Sequence, residues 1–176
     1  MISPDQGDIV VDSDRIGFVF QDHRLLPWQT ALDNIMIVLE SKGIDPDSAR
    51  RTAAQWLDRL GLKGYERSYP SQLSGGMAQR VSIARAFSIQ PQIMLMDEPL
   101  SSLDRKMADS ILRQLEGVLE EYRTTTIYVT HDIIEALDIG DRIFKLENYG
   151  LTELSITDRK TMLKDYIESR VKKIKD

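Results

Sequence analysis

In IMLMDEP, Ile93 to Pro99, two adjacent carboxylates end an apolar run. In open α/β sheets ligands gather beyond the carboxyl ends of strands, and successive side chains of an extended chain point opposite ways. Asp97 and Glu98 therefore suit different tasks. One can hold Mg²⁺ beside substrate phosphates; the other can orient or deprotonate an attacking water. A second apolar run, TIYVTHD, brings His131 to the same kind of edge, where an imidazole can donate to a phosphate oxygen as charge develops. The plainer alternative is a loop histidine bonded to backbone. Gln21 comes after a third run, RIGFVF, and its amide can reach a metal or a water. The other histidine, His23, is given no catalytic role.

LSGGMAQR, Leu73 to Arg80, is the most specific stretch. Ser74 can cap a helix and offer its hydroxyl to a phosphate. Gly75 and Gly76 let the backbone approach closely, and the helix behind them presents partial positive charge at its start. An anion clamp and an ordinary Gly-rich turn before a helix both fit this stretch alone.

The elements that must position these groups are legible from hydrophobic period and punctuation. Asp8 to Asp12 and Arg15 to Phe20 read as short strands. The loop QDHRLLPWQT leads into a helix over Ala31 to Glu40, with Leu32, Ile35, Met36 and Leu39 on one face. A second helix has Asp45 at its N-cap, Pro46 at its first position and Gly61 past its end. Its buried stripe is Ala49, Ala53, Trp56, Leu57 and Leu60. The LSGG turn opens a third helix, with Met77, Val81 and Ala84 on one face. Ile93 to Met96 reads as a strand covered on both faces of a parallel sheet. An amphipathic helix over Arg105 to Arg123 and a strand over Thr125 to Thr130 come next. Asp132 and Glu135 suggest a capping box, Arg142 to Leu146 one more strand, and the charged tail from Thr157 a helix. The β-α-β order at the end implies right-handed crossovers and a parallel sheet. The helical stretch from about Ala31 to Ile89 reads as an insertion between its strands.

The chain has 176 residues, 41% of them hydrophobic, which suits one packed domain. Its net charge of −5, with acids and bases interspersed, argues against a grip on nucleic acid. There is no cysteine, hence no disulfide framework. MISPDQGDIVV lacks the features of a signal peptide, and no apolar run approaches a membrane span. The expectation is a soluble protein that meets a membrane only through a partner.

Gln21 after a strand, LSGGMAQR, IMLMDEP, SSLD and TIYVTHD stand in an order that resembles the ATP-binding cassette (ABC) ATPases, from Ser3 to about Leu146. The resemblance implies a P-loop NTPase-type parallel-sheet α/β core, incomplete, with an inserted α-helical subdomain. Residues 1–29 would be a residual N-terminal β region and Q-loop, and 30–90 the helical subdomain with the signature. Residues 91–150 would be the rest of the ATPase core, and 151–176 a charged helical tail. The resemblance implies ATP and Mg²⁺ as ligands. Asp97 becomes the Walker B aspartate on the metal together with Gln21, Glu98 the catalytic glutamate and His131 the switch histidine. Ser74, Gly75, Gly76 and Gln79 of the signature, Asp104 of the Ser101–Asp104 D-loop, and Gln21 become nucleotide contacts. QDHRLLPW, YPSQLSGGMAQRVSIARAF and TTTIYVTHDIIEAL look like the importer ATPases for nitrate, sulfonate or taurine. The resemblance also implies partners. They are a second ATPase domain paired head to tail, a membrane permease at the Gln21-to-Trp28 loop and the helical subdomain, and, indirectly, a solute-binding protein. Such a protein sits in the cytoplasm, peripheral on the inner face of the cell membrane.

No GxxxxGKS or GxxxxGKT string, the loop whose lysine reaches the β- and γ-phosphates, occurs in these residues. The segment Ser3 to Gly7 resembles the family's chain just beyond the P-loop helix. The expectation is an N-terminally shortened chain that keeps its signature without its own phosphate cradle. It would be inactive alone, with apolar sheet surface left open. The alternative is a non-catalytic or degenerate subunit that lends its signature to a partner's ATP site.

Overall fold

A computed structural model describes residues 7, 8, 10–13, 15–148 and 150–175. Three parallel strands form the sheet: β1 (Ile16–Val19), β2 (Ile93–Asp97) and β3 (Thr125–Val129), side by side in that order. Val19 lies opposite Met96, and Asp97 opposite Val129, so all three strands end at one edge. Of the family-like segment Ser3 to Gly7, residues 3–6 lie outside the described residues. Of the strand expected over Asp8 to Asp12, residue 9 lies outside the described residues; the others belong to no strand, and Val10 is 89% exposed. Among the described residues no strand lies beside them, and β-branched residues then have no ladder to join.

Between β1 and β2 run α1 (Ala31–Ser41), α2 (Pro46–Arg59) and α3 (Gly75–Ser88). Thr30 and Asp45 cap α1 and α2 by accepting from the backbone amides of Asp33 and Ser48. The stripe Ala49, Ala53, Trp56, Leu57 and Leu60 is buried as expected. α3 differs from expectation. Ala78, Gln79, Val81, Ser82, Ile83, Ala84, Ala86 and Phe87 are all buried, so it is covered nearly all round rather than on one face. Its small residues let α1, α2 and β1 close on it together. Gly17 of β1 takes part: a Cβ there would sit 2.9 Å from Met94 Sδ and 3.0 Å from the Ala86 carbonyl oxygen.

α4 (Arg105–Tyr122) comes after β2. Trp56 of α2 stacks 5.7 Å from Phe87 of α3 and lies 5.6 Å from Tyr122 of α4. The Arg59 guanidinium pairs with the Glu121 carboxylate through both nitrogens, tying α2 to α4. α5 (Ile133–Ile139) is capped by Asp132, whose carboxylate accepts from the Ile134 and Glu135 amides. The second half of the expected capping box is absent. The Glu135 carboxylate instead turns inward to the Tyr128 and Thr130 hydroxyls, and the Asp132 amide donates to Thr130 Oγ1. β4 (Phe144–Glu147) does not join the parallel sheet. It pairs antiparallel with β5 (Gly150–Glu153), a strand the sequence pattern does not announce, and α6 (Ile156–Lys175) ends the described chain.

The sheet is covered on one face only. Val19, Met94 and Met96 are buried in the core, whereas Ile16, Phe18, Ile127 and Val129 on the other face are 39–59% exposed. This corrects the expectation of cover on both sides of β2, the ordinary state of parallel strands. The helices here take one side, and Ile93 and Leu95 stay partly open. No helix among the described residues is long and apolar enough to cross a membrane.

Candidate functional site

The shared carboxyl edge of β1, β2 and β3 carries Gln21, Asp97, Glu98 and His131. Glu98 is the centre. Its backbone lies in the left-handed region with φ 43°, a conformation a non-glycine residue keeps only where its surroundings hold it. The holding contacts are visible. The Glu98 amide donates to the Val129 carbonyl oxygen at 2.8 Å. The Glu98 carbonyl accepts from Ser101 Oγ at 3.0 Å. Its side chain reaches Nδ1 of His131 through Oε2 at 3.1 Å. Nε2 of Gln21 makes a long 3.5 Å contact with the same oxygen and lies 3.3 Å from Ser101 Oγ. Among the described residues Oε1 of Glu98 has no hydrogen-bond partner, so one carboxylate oxygen is anchored and the other is open.

Asp97, the last residue of β2, is exposed beside this cluster. No group of three or more His, Cys, Asp or Glu converges on a metal position among the described residues. Mg²⁺ in phosphate-handling sites ordinarily needs no such group. It retains waters there and takes one or two carboxylates with substrate phosphates, rather than an all-protein cage. Asp97, an exposed carboxylate at a strand end, is the donor type such an ion takes.

His131 is 71% exposed in its side chain, yet its backbone is fixed on both sides. Thr130 Oγ1 donates to Glu135 and accepts from the Asp132 amide. Asp132 also pairs with Arg105 of α4 at 2.9 Å. Glu135, 8% exposed, is held by the Tyr128 and Thr130 hydroxyls at 2.9 Å each. Burial, with the Glu135 carboxylate alongside, pushes the Tyr128 phenol far above its ordinary range.

The LSGG turn forms a separate feature. Ser74 caps α3, its Oγ accepting from the Met77 amide at 3.3 Å. Gly75 is exposed, and a Cβ there would find only Leu103 Cδ2 at 3.9 Å. Gly76 is buried, and a Cβ there would overlap Met107 of α4. The two glycines thus do different things: Gly75 leaves the helix start open, and Gly76 lets α3 and α4 touch. Gln79 is 1% exposed and faces inward, away from the surface of Ser74 and Gly75. Asp104 caps α4 by accepting from the Met107 amide at 3.1 Å. Among the described residues no hydrogen bond or ion pair joins Ser74, Gly75, Gly76 or Gln79 to the Glu98 cluster. The structure therefore assembles Gln21, Glu98 and His131 with Asp97 adjoining, and leaves the helix-start amides outside that group.

Sequence reasoning passes over Ser101 as an individual contact, and Tyr128, Thr130 and Glu135 as the frame of His131. Only Ser101 has a sequence signal, its place at the start of SSLD, one residue after IMLMDEP.

A parallel α/β sheet with a carboxylate, a glutamine and a histidine meeting at its strand ends has the architecture in which ligands ordinarily gather at that edge. The chain belongs to the ABC transporter ATP-binding family: the family profile described as ABC transporter matches residues 2–101. It is 42% identical over 158 residues to the formylaminopyrimidine import ATP-binding protein ThiZ of Halalkalibacterium halodurans, covering 88% of this chain and 64% of that protein. It is 40% identical over 145 residues to the aliphatic sulfonates import ATP-binding protein SsuB of Bacillus cereus, covering 78% of this chain and 57% of that one. The glycine betaine/proline betaine transport system ATP-binding protein ProV of Escherichia coli is 36% identical over 174 residues, covering 90% of this chain and 44% of ProV. The chain thus spans about half to two thirds of the length of these relatives. A dimeric, post-hydrolysis structure of the ATP-binding cassette MJ0796 bound to ADP and Pi matches with a TM-score of 0.72 at 38% identity. That match covers 81% of this chain and 63% of the other.

Proposed function

We propose that this chain is the signature- and Walker B-bearing part of an ATP-hydrolysing importer subunit, of the nitrate, sulfonate or taurine type. ATP hydrolysis by such a subunit drives solute uptake through a membrane permease. The observation that carries this reading is Glu98, anchored at Oε2 by His131 and open at Oε1. An anchored carboxylate with one free oxygen at a strand end can accept a proton from an attacking water. Gln21, within reach of Glu98 and Ser101, can orient that water or contribute to the metal site. Asp97 and Gln21 would hold Mg²⁺, which supplies charge neutralisation on the phosphates. His131 would donate to the phosphate as charge builds on it.

The exposed Ser74 Oγ and the Gly75 amide at the start of α3 would bind the γ-phosphate of a nucleotide held by a second ATPase domain, head to tail. Relatives named as import ATP-binding proteins and a dimeric cassette among the solved structures support this arrangement. The loop from Gln21 to Trp28 would face the permease: Trp28 is 69% exposed, whereas Leu25 is buried. On this reading the protein works at the inner face of the membrane, with a solute-binding protein acting on the far side.

A second reading has its own support. The exposed Ser74–Gly75 helix start, joined to the Glu98 cluster by no hydrogen bond or ion pair among the described residues, also suits a subunit that lends its signature to another domain's nucleotide and hydrolyses none itself. Phosphate release from Mg-ATP by the purified chain separates the two. No release is expected from the chain alone. Steady release abolished by Glu98→Gln would show a complete site within these residues and overturn the expectation.

A further inference from the structure

We propose that Arg85 is a positioning residue that locks the loop behind Gln21 to the helix that begins after Ser74, so that the two move as one body. Arg85 lies in the last turn of α3, whose N-cap is Ser74. Its guanidinium forks onto two successive backbone carbonyls of the loop: Nη1 donates to the Arg24 oxygen and Nη2 to the His23 oxygen, each at 2.9 Å. The planar, doubly donating head matches this pair of acceptors; a lysine ammonium has no such fork.

The contact is not a by-product of packing. Arg85 is partly withdrawn from water, and burial holds its guanidinium below its ordinary value. No carboxylate pairs with it among the described residues. Removing a cation from water without an opposite charge is unfavourable, and Leu or Met would fill a half-buried helical position at lower cost. What the charge contributes is the shape of the loop. Arg24 there has φ 44°, a backbone state that must be held from outside. Its side chain covers the Phe20 ring at 4.1 Å, and Phe20 stacks on Phe18 of β1 at 4.0 Å.

The far end of the loop is held by a second side chain, which shares the load with Arg85. Asn34 of α1 is wholly buried. It accepts from the Leu26 amide at 2.7 Å and donates to the carbonyls of Leu26, Gln29 and Thr30 at 3.2, 3.1 and 2.9 Å. Arg85 and Asn34 thus grip the loop on either side of buried Leu25, and Gln21 at its near end touches the Glu98 cluster. A displacement of α3 reaches Gln21 through Arg85. The consequence for catalysis rests on the proposed ATPase reading, but the lock itself does not.

The test uses the full chain without nucleotide, so its failure leaves the ATPase reading standing. The chain has two tryptophans: Trp28 within the loop, 69% exposed, and Trp56 in the helical core, 5% exposed. In Arg85→Met, hydrogen exchange at the Leu26 and Gln29 amides should quicken about tenfold, equivalent to about 1.4 kcal/mol of local opening. The fast component of the Trp28 fluorescence anisotropy decay should grow, while exchange in α2 and quenching of Trp56 stay as in the parent. Arg85→Lys should restore only part of the protection, since it reaches one carbonyl. Unchanged exchange at Leu26 and Gln29 would overturn the proposal. So would full restoration by Arg85→Lys, or exchange that rises equally in α2, which would make Arg85 a general stabiliser.

Discussion

Nδ1 of His131 lies 3.1 Å from Oε2 of Glu98. Where this contact carries a hydrogen bond, the imidazole proton lies on Nδ1, because a carboxylate accepts only, and the neutral ring then leaves Nε2 as an acceptor. A phosphate oxygen also accepts. For His131 to donate to phosphate, the ring must carry both protons or turn away from Glu98. The pair is therefore a resting arrangement with a built-in choice, and anything that draws the Glu98 carboxylate toward a water frees His131 Nδ1.

The tautomer is directly measurable, because the chain holds two histidines. Nitrogen-15 NMR at a pH where His131 is neutral should show its proton on Nδ1. In Glu98→Ala that preference should be lost, with little change in stability, since the ring is 71% exposed. An unchanged His131 signal in Glu98→Ala would show that the contact does not persist in solution.

The signature glycines should respond oppositely to substitution. Gly76→Ala drives a methyl into Met107, and overpacking of this kind costs about 1–3 kcal/mol; thermal unfolding should register it. At the exposed Gly75 a Cβ meets only Leu103 at 3.9 Å, and Gly75→Asp puts an acid in the first turn of α3. The helix dipole favours that by about 0.3–1 kcal/mol, although the added carboxylate would repel a phosphate. Equal thermal shifts for both variants would be incompatible with the distinct environments of the two glycines.

Tyr128 should set part of the alkaline limit of stability. Its folded-state phenol is raised above the ordinary value of 10.0 by burial and by Glu135. Above about pH 10 the unfolded chain sheds this proton while the folded chain keeps it. The unfolded state then binds fewer protons, and stability falls as pH rises. Tyr128→Phe should flatten that alkaline fall. At neutral pH it should cost about 1–3 kcal/mol for the bond lost to a buried carboxylate. Denaturant unfolding at a series of pH values checks both; parallel alkaline slopes for the two proteins would rule out the assignment.

The open sheet face should matter for association more than for folding. Ile127 and Val129 are 59% and 51% exposed, so replacing both with Thr should change unfolding stability by less than about 1 kcal/mol in total. Self-association in light scattering should fall. If the double variant unfolds much more readily, the face is covered in solution.

How far the sequence announces these features depends on the range of the interaction. Asp45, Pro46 and Gly61 act within a turn of their own positions, so α2 is readable at both ends. Asp97, Glu98 and His131 are readable because each comes at the end of an apolar run. Glu135 is not, because its local option, the box with Asp132, loses to Tyr128 and Thr130, which only the folded strand brings near. α3 reads as one-sided because its small residues carry no strong pattern; its burial is decided by three other elements. The same limit hides Arg85. A cation amid apolar helix residues carries no mark of acceptors 61 and 62 positions away. Gln79 shows the reverse: its place in the signature suggests a surface contact, and the packing of α3 turns it inward.

Ser74 and Gly75, on the proposed reading, complete a nucleotide site whose phosphate cradle belongs to another domain. The decisive measurement is sedimentation of an equimolar mixture with an intact, P-loop-bearing family cassette that binds but does not hydrolyse ATP. A one-to-one complex should form with Mg-ATP, be absent with ADP, and be lost in Gly75→Asp while that variant remains folded. No complex with the parent chain at saturating ATP, or an equally strong complex with Gly75→Asp, would refute the shared site.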